Sequence, residues 1–100
     1  MAIIREDRKK HILSGDSTGG GHRPGTGFPG KSEFPRGWSD EKILREIASI
    51  VDDPRSRRQD SYGNRKILQG ERDGVSIRVV VESDGVSVIT GHPTNMPRNP

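Results

Sequence analysis

The side chains best suited to chemistry in this sequence are three histidines, His11, His22 and His92, in a chain that has no cysteine. An imidazole can act as general acid or base because its pKa lies near neutrality. Two imidazoles are enough for RNA cleavage by internal attack. One takes the 2′-OH proton and the other protonates the leaving 5′ oxygen, while a cation, hydroxyl or backbone N–H stabilises the charge on the phosphate. No pair of histidines has metal-ligand spacing, so we predict neither a metal nor a cofactor.

His22 lies in a glycine-rich segment that is suited to phosphate binding. It follows the glycines at positions 19–21, and a second glycine cluster precedes Lys31. Bare backbone allows a phosphodiester to approach closely and supplies N–H donors. Residues 25–32 also match the P-loop pattern G-x-x-x-x-G-K-[ST], but no hydrophobic strand precedes them and Phe34-Pro35 prevents a helix directly after. We interpret this match as coincidental, which leaves a nucleotide-binding loop as the weakest alternative.

The composition limits the classes of protein to consider. A chain of 100 residues with 27% hydrophobic side chains allows one domain, residues 1–100, with a small core. The absence of cysteine excludes disulfide scaffolds, zinc fingers and thiol catalysis. No segment has the apolar length of a membrane span, and no secretory signal follows Met1. The net charge of +3 permits a polyanionic partner without demanding one.

The histidines must be positioned by elements on either side of a long loop. A short helix is predicted before Ser14-Gly15, which end it. Residues 14–37 contain 8 of the 13 glycines and form a predicted active-site loop. A second helix follows, with Ser39 as its N-cap, an apolar stripe at helical spacing, and Pro54 as its stop.

The second half of the chain has the alternating pattern of strands. We predict strands over residues 66–69, 75–82 and 86–90, with turns at 70–74 and at Asp84-Gly85, and a tail over 91–100. Residues 53–65 are predicted to be a charged connector whose arginines could contact phosphate. The fold class is therefore α+β, with two helices packed on an antiparallel sheet of three to four strands.

Several of these segments together resemble the bacterial EndoU nuclease domain, a C-terminal toxin domain of polymorphic and contact-dependent inhibition systems. The resemblance covers residues 7–96. It rests on His11-Ile-Leu-x-Gly-Asp-x-x-Gly-Gly-Gly-His22-Arg, on Gly25-Thr-Gly-x-Pro-Gly-Lys31-Ser-Glu-Phe-Pro, on Trp38-Ser-Asp, on Arg72-Asp-Gly-Val and on Ile89-Thr-Gly-His-Pro-Thr-Asn95. It implies a fold similar to the barnase–EndoU–colicin–RelE ribonucleases. It also implies metal-independent RNA cleavage to 2′,3′-cyclic phosphate ends, with tRNA as the target of some members.

The resemblance also suggests roles for individual residues. It makes His11 and His22 the acid and base, in an unassigned order, and Thr90 the last-strand hydroxyl at the phosphate. His92 occupies a position that is often Tyr in the family, which leaves its role open. Lys31 is the nearest candidate for the catalytic lysine of eukaryotic relatives. Further candidates for substrate binding are Arg23 and Thr94.

The same resemblance implies partners and a location. The partners are an RNA substrate, with tRNA among the candidates, and a cognate immunity protein. The toxin domain is expected to be a monomer within a larger secreted or cell-surface effector that acts in the target-cell cytoplasm. The alternative function is a non-catalytic basic module that binds RNA or protein. The histidine in a glycine loop and the low aromatic content, 4%, argue against that alternative.

Overall fold

A computed structural model, which describes all residues from Met1 to Pro100, has two α-helices and a four-stranded antiparallel sheet. Helix α1 spans Glu6–Leu13 and helix α2 spans Asp40–Asp52. The strands are β1 (Arg57–Asp60), β2 (Lys66–Arg72), β3 (Val75–Val81) and β4 (Val88–Pro93), and a 3-10 turn, Tyr62–Asn64, joins the first two. The strands follow one another in chain order across the sheet. The predicted α+β class is confirmed.

Helix α2 supplies one side of the hydrophobic core. It begins where predicted, because the Oγ of Ser39 accepts a hydrogen bond of 3.1 Å from the backbone N–H of Lys42. Its apolar stripe packs on the face of β3 whose residues are buried at every second position. The residues buried in this contact are Ile43, Ile47, Ile50 and Val51 from the helix, with Val75, Ile77, Val79 and Val81 from the strand.

A β-bulge sets which side chains of β4 face the helix. Val80 pairs with Thr90 whereas Val81 pairs with Val88, so Ile89 is an extra residue in β4. Beyond the bulge Gly91 lies against α2, where an added Cβ would stand 2.9 Å from the Cδ1 of Ile47. Its neighbours Thr90 and His92 therefore project from the opposite face of the sheet, away from the main core.

One strand of the sheet was missed by the sequence prediction, and two others end later than predicted. The connector over 53–65 contains strand β1, whose four residues are all exposed. A strand at the sheet edge needs main-chain hydrogen bonds and no apolar side chains, so its polar sequence concealed it. Strand β4 continues to Pro93 into the predicted tail, and β2 continues through Gly70 as far as Arg72. The turn after β2 is confined to Asp73-Gly74, which both have positive φ.

The end of the first helix and the loop that follows it lie where the sequence predicted them. Helix α1 ends at Leu13, with Ser14 as its C-cap. Residues 14–37 contain no helix or strand. Neither helix has the length and apolar character needed to cross a membrane.

Candidate active site

A polar cavity of about 320 Å³ lies where the end of α1, the glycine-rich loop and the outer face of β4 meet. None of the ten residues that line it is hydrophobic. The lining consists of His11, Thr18, Gly20, His22, Gly30, Lys31, Ser32, Thr90, His92 and Arg98. All three histidines of the chain therefore surround one space, together with two permanent cations.

His11 is fixed through both of its ring nitrogens. Its Nδ1 lies 3.0 Å from a carboxylate oxygen of Asp16, and its Nε2 lies 3.1 Å from the hydroxyl of Thr90. Hydrogen bonds from Thr18, and then the one from His11, hold the pKa of Asp16 well below its ordinary value. Because an ionised carboxylate only accepts, the Nδ1 of His11 carries a hydrogen. The ring thus has a set orientation, with a negative charge behind it and Nε2 towards the cavity.

The glycine-rich loop binds the carbonyl groups that the last turn of α1 leaves unpaired. The backbone N–H groups of Gly21, His22 and Arg23 donate to the carbonyls of residues 11, 12 and 13 at 2.9, 2.8 and 3.0 Å. This register fixes His22 relative to His11 through the main chain. It requires glycine at position 20, since φ is +78° there and an added Cβ would lie 1.9 Å from the carbonyl oxygen of His11.

His22 is held in the neutral form with one nitrogen free. Its Nδ1–H donates a 2.6 Å hydrogen bond to the carbonyl of Ser32, because a carbonyl can only accept. Its Nε2 makes no hydrogen bond within the protein. Since the protein has no buried side-chain nitrogen or oxygen without a partner, this atom is open to the cavity. Burial lowers the pKa of His22, and Lys31 and His11 lower it further, against the opposing effect of the Ser32 hydrogen bond.

His92 stacks on His22. The two ring centroids are 5.4 Å apart and the ring planes differ by 28°. Burial, followed by the charges of His22 and Arg78, lowers the pKa of His92 to about 4. Arg78 is its cross-strand neighbour on β3. At neutral pH, His92 is therefore an uncharged aromatic side chain that covers one side of the His22 ring.

The cations of the cavity come from two distant parts of the chain. Lys31 belongs to the glycine-rich loop, whereas Arg98 lies in the segment that follows β4. Backbone hydrogen bonds join these segments, with Gly30 donating to Asn99 at 2.9 Å and Asn99 donating to Lys31 at 2.9 Å. The side chain of Asn99 also donates to the carbonyl of Phe28. Both cations are thus held beside the histidines by main-chain pairing.

Glu33 organises the second glycine cluster. Its carboxylate accepts hydrogen bonds of 2.8 Å from the backbone N–H groups of Gly25 and Gly27, and a further bond from the side chain of Asn99. These bonds lower the pKa of Glu33. A P-loop would direct such N–H groups at phosphate and continue into a helix, whereas the next helix after this segment, α2, does not begin until Asp40. The interpretation of this segment as a coincidental match is therefore consistent with the structure.

The structure brings most of the predicted site residues together and separates two of them. His11, His22, Lys31, Thr90 and His92 all line the cavity, whereas Arg23 and Thr94 do not. Arg23 makes a two-pronged ion pair with Asp40 at the start of α2, with both distances 2.9 Å. Thr94 bonds to the carbonyl of Ser76 at the far end of β4. Both residues lie outside this cavity, and their role in substrate binding stays a prediction.

Sequence reasoning did not select four residues that line the cavity or hold its histidines. Asp16 orients His11, Thr18 supports Asp16, Ser32 holds His22, and Arg98 supplies a cation. The Gly-Asp pair five residues after His11 was the available signal for Asp16. Nothing in the sequence indicated that Arg98 returns to the loop. No group of three or more His, Cys, Asp or Glu side chains is arranged to hold a metal ion.

Imidazoles, a hydroxyl and cations around a polar cavity on an α+β scaffold are typical of enzymes that cleave phosphodiesters. The comparison with known families agrees with this class. The model of the bacterial EndoU nuclease family matches residues 26–95, well over half of the chain. The chain therefore belongs to the bacterial EndoU nuclease family, and it is a nuclease.

The matched segment contains Lys31, Thr90 and His92, and it begins after His11 and His22. The assignment of the two earlier histidines to the site depends on their geometry in the cavity. No curated protein and no solved structure matches the chain.

Proposed function

We propose that this nuclease is a metal-independent endoribonuclease that uses the 2′-OH of its RNA substrate as the nucleophile. The observation that supports this most directly is the pair of differently held imidazoles, His11 and His22, in one polar cavity. In this reaction the 2′-oxygen bonds to phosphorus and the bond from phosphorus to the 5′ oxygen breaks. The products carry a 2′,3′-cyclic phosphate and a 5′-OH.

His22 has the properties of the general base. Its Nδ1–H is occupied by the Ser32 carbonyl, so the lone pair is on Nε2, the nitrogen that is open to the cavity. Its lowered pKa keeps this lone pair available at neutral pH. Nε2 takes the proton from the 2′-OH as the oxygen attacks phosphorus.

His11 has the properties of the general acid. The ionised Asp16 on Nδ1 compensates the positive charge that the ring carries when it is doubly protonated. Its Nε2–H then gives a proton to the departing 5′ oxygen. Thr90, at 3.1 Å from that nitrogen, lies beside the position of the leaving group. Asp16 is a positioning residue in this scheme, since it acts through His11.

Lys31 and Arg98 stabilise the negative charge that builds up on the phosphate oxygens in the transition state. The hydroxyl of Thr90 adds a neutral polar group to the same space. The enzyme needs no nucleophile of its own for transesterification, because the attacking 2′-OH belongs to the substrate.

We also propose the biological setting that accompanies this activity in the family. The chain would act as an antibacterial toxin domain, with tRNA among its substrates, within a larger effector delivered to the cytoplasm of a target cell. A cognate immunity protein would block it. Membership of the bacterial EndoU family supports this setting. The test is whether co-expression of the immunity protein rescues a bacterial cell that the toxin domain would otherwise kill.

The decisive experiment is a digest of total tRNA and of a single-stranded RNA, with and without EDTA. We expect cleavage that EDTA leaves unchanged, with cyclic phosphate at the 3′ ends of the fragments. His22→Ala should slow cleavage by roughly 10²- to 10⁴-fold, the range for loss of a general base. Tyr62→Ala is a suitable control, because Tyr62 is 90% exposed and lies outside the cavity.

Three results would contradict this function. They are cleavage that depends on added metal, 3′ phosphate ends formed without a cyclic intermediate, and full activity of the His22→Ala variant. RNA that binds stoichiometrically and remains intact would instead support the alternative, a non-catalytic binding module.

A further inference from the structure

A second cavity lies directly beside the catalytic one. Its volume is about 310 Å³, within the range of small-molecule sites. The turn of residues 14–16 forms one wall and Phe28 forms another. Gly20 and Lys31 line both cavities. A ligand in the second cavity would therefore lie next to whatever the catalytic groups hold.

Phe28 is the only hydrophobic residue of this second cavity, and the core does not use it. The residue is 45% exposed, and no other aromatic ring stacks on it. Its ring lies over Gly21, where an added Cβ would stand 2.5 Å from Cδ2. The ring is thus in contact with bare backbone on its Cδ2–Cε2 side, and it is partly open to solvent.

The backbone of Phe28 is held in place from two directions. Its carbonyl accepts a hydrogen bond of 3.0 Å from the side chain of Asn99 and another of 3.2 Å from the N–H of Lys31. An exposed aromatic ring on a mobile loop would lose entropy on binding. A ring fixed on a turn that Asn99 and Lys31 secure can accept a flat ligand at a lower cost.

We propose that Phe28 is the stacking platform of a nucleobase subsite, which binds the unpaired base next to the scissile phosphate. The proposal rests on the function proposed above, because it takes the occupant of the catalytic cavity to be an RNA phosphate. Lys31 is the link between the sites. Its Nζ stands close to Gly19, 3.4 Å from the position of an added Cβ there, and it lines both cavities.

The chemistry of the walls fits a base better than a protein side chain or a lipid. The other six lining residues are three glycines with Ser14, Asp16 and Lys31, so the cavity combines one apolar ring with bare backbone and polar side chains. A nucleobase has this same character, with an apolar π-face and polar edges. Proteins that bind single-stranded RNA commonly stack unpaired bases on exposed Phe, Tyr or Trp rings.

The experiment is a double-mutant cycle on binding. The ligand is a short single-stranded RNA with 2′-O-methyl groups, which blocks cleavage because the nucleophile is capped. One abasic residue is moved along the oligonucleotide, and affinity is measured for wild type and for Phe28→Ala. We expect one position at which base removal weakens wild-type binding roughly tenfold. For the oligonucleotide that is abasic at that position, Phe28→Ala should bind no more weakly than wild type, because the stacking contact is already lost.

Three further variants separate stacking from packing. Phe28→Leu keeps apolar bulk over Gly21 and removes the π-face, so it should behave like Phe28→Ala. Phe28→Trp should retain or increase the coupling. Tyr62→Ala removes the other strongly exposed aromatic ring, 90% exposed and outside both cavities, and should match wild type. If Phe28→Ala proves to be unfolded by circular dichroism, Phe28→Leu and Phe28→Trp decide the result.

Cleavage of the unmodified oligonucleotide in parallel distinguishes the two proposals. Cleavage by wild type without coupling to Phe28 at any position would overturn the base subsite and leave the ribonuclease function standing. Coupling without cleavage would support the base subsite and overturn the ribonuclease function. A Phe28→Ala variant that loses binding to a protein partner, while no abasic position changes RNA affinity, would also overturn the subsite. It would indicate that Phe28 belongs to a protein interface.

Discussion

Replacement of His92 by Gln should remove much of the acid sensitivity of the folded protein. The structure lowers the pKa of His92 from 6.5 to about 4, chiefly because its ring is buried and secondarily because positive charges surround it. In the unfolded chain the ring regains its ordinary pKa. Between these two values the unfolded chain therefore binds more protons than the folded protein, and acidification favours unfolding.

The magnitude follows from the size of the pKa shift. A difference of one bound proton changes the free energy of unfolding by about 1.4 kcal/mol per pH unit. From pH 6.5 to pH 5, the whole interval lies above the folded pKa of about 4, so His92 contributes a loss of about 2 kcal/mol. We take this as an upper value because the ring is only partly buried. His22, with its lowered pKa, acts in the same direction.

The assay is urea denaturation of wild type and His92→Gln at several pH values from 5 to 7. This interval avoids the region below pH 4, where the stabilising Asp16, Asp53 and Asp73 carboxylates begin to be protonated in the unfolded chain. The stability difference between the two proteins should change by up to about 2 kcal/mol over this interval. Arg78→Gln, which removes one of the positive neighbours of His92, should give an intermediate dependence.

Parallel pH dependences for wild type and His92→Gln would refute this reasoning. They would mean that the imidazole of His92 titrates alike in the folded and unfolded states. An NMR titration of the His92 ring supplies the direct check. A midpoint near 6.5 would refute the reasoning equally, without any denaturant.

The other predictions concern the supports of the two catalytic imidazoles. Asp16→Asn should lower kcat by about 10²-fold and alter its pH profile while KM changes little, because the carboxylate orients His11 and compensates its charge. Asp84→Asn is the matched control, since Asp84 accepts similar backbone hydrogen bonds in a turn outside the cavity; equal kcat losses in both variants would contradict the role of Asp16. Gly20→Ala should destabilise the fold by at least about 2 kcal/mol in urea denaturation, because its Cβ would overlap the His11 carbonyl. Gly30→Ala, with a similar φ of +76° and open space around it, should cost only about 1 kcal/mol, and an equal loss in the two variants would refute the steric argument.

Periodicity predicted the elements that have a buried face, and it missed those that do not. The stripe of α2 and the alternation of β3 are direct consequences of burial on one side, so both could be read from the sequence. Strand β1 has no buried residue and left no such trace. In β4 the bulge at Ile89 changes the phase of the alternation, and Gly91 and Pro93 occupy inward positions without the usual strand residues.

The site was predictable as far as residue chemistry goes. Histidines in a cysteine-free chain and a lysine after a glycine cluster could be selected by type, and they do converge. Their supports Ser32 and Arg98 could not, because both act through contacts that the path of the loop creates, and for Asp16 the sequence offered only its spacing from His11. Arg23 shows the opposite difference, because it was selected from the sequence but does not line the cavity. Its neighbour His22 is in the cavity, but the side chain of Arg23 turns to Asp40.

The pairing of Asn99 with the glycine-rich loop also bears on the order in which the site is made. Asn99 secures Phe28, Lys31 and Glu33, and its neighbour Arg98 is one of the two cations of the cavity. During synthesis the histidines at positions 11 and 22 leave the ribosome long before residues 98 and 99. A nascent chain with these last residues still in the exit tunnel has both imidazoles but lacks Arg98 and the tethered loop. The cavity is therefore completed only after synthesis has passed residue 99 and residues 98–99 have folded back onto residues 28–33.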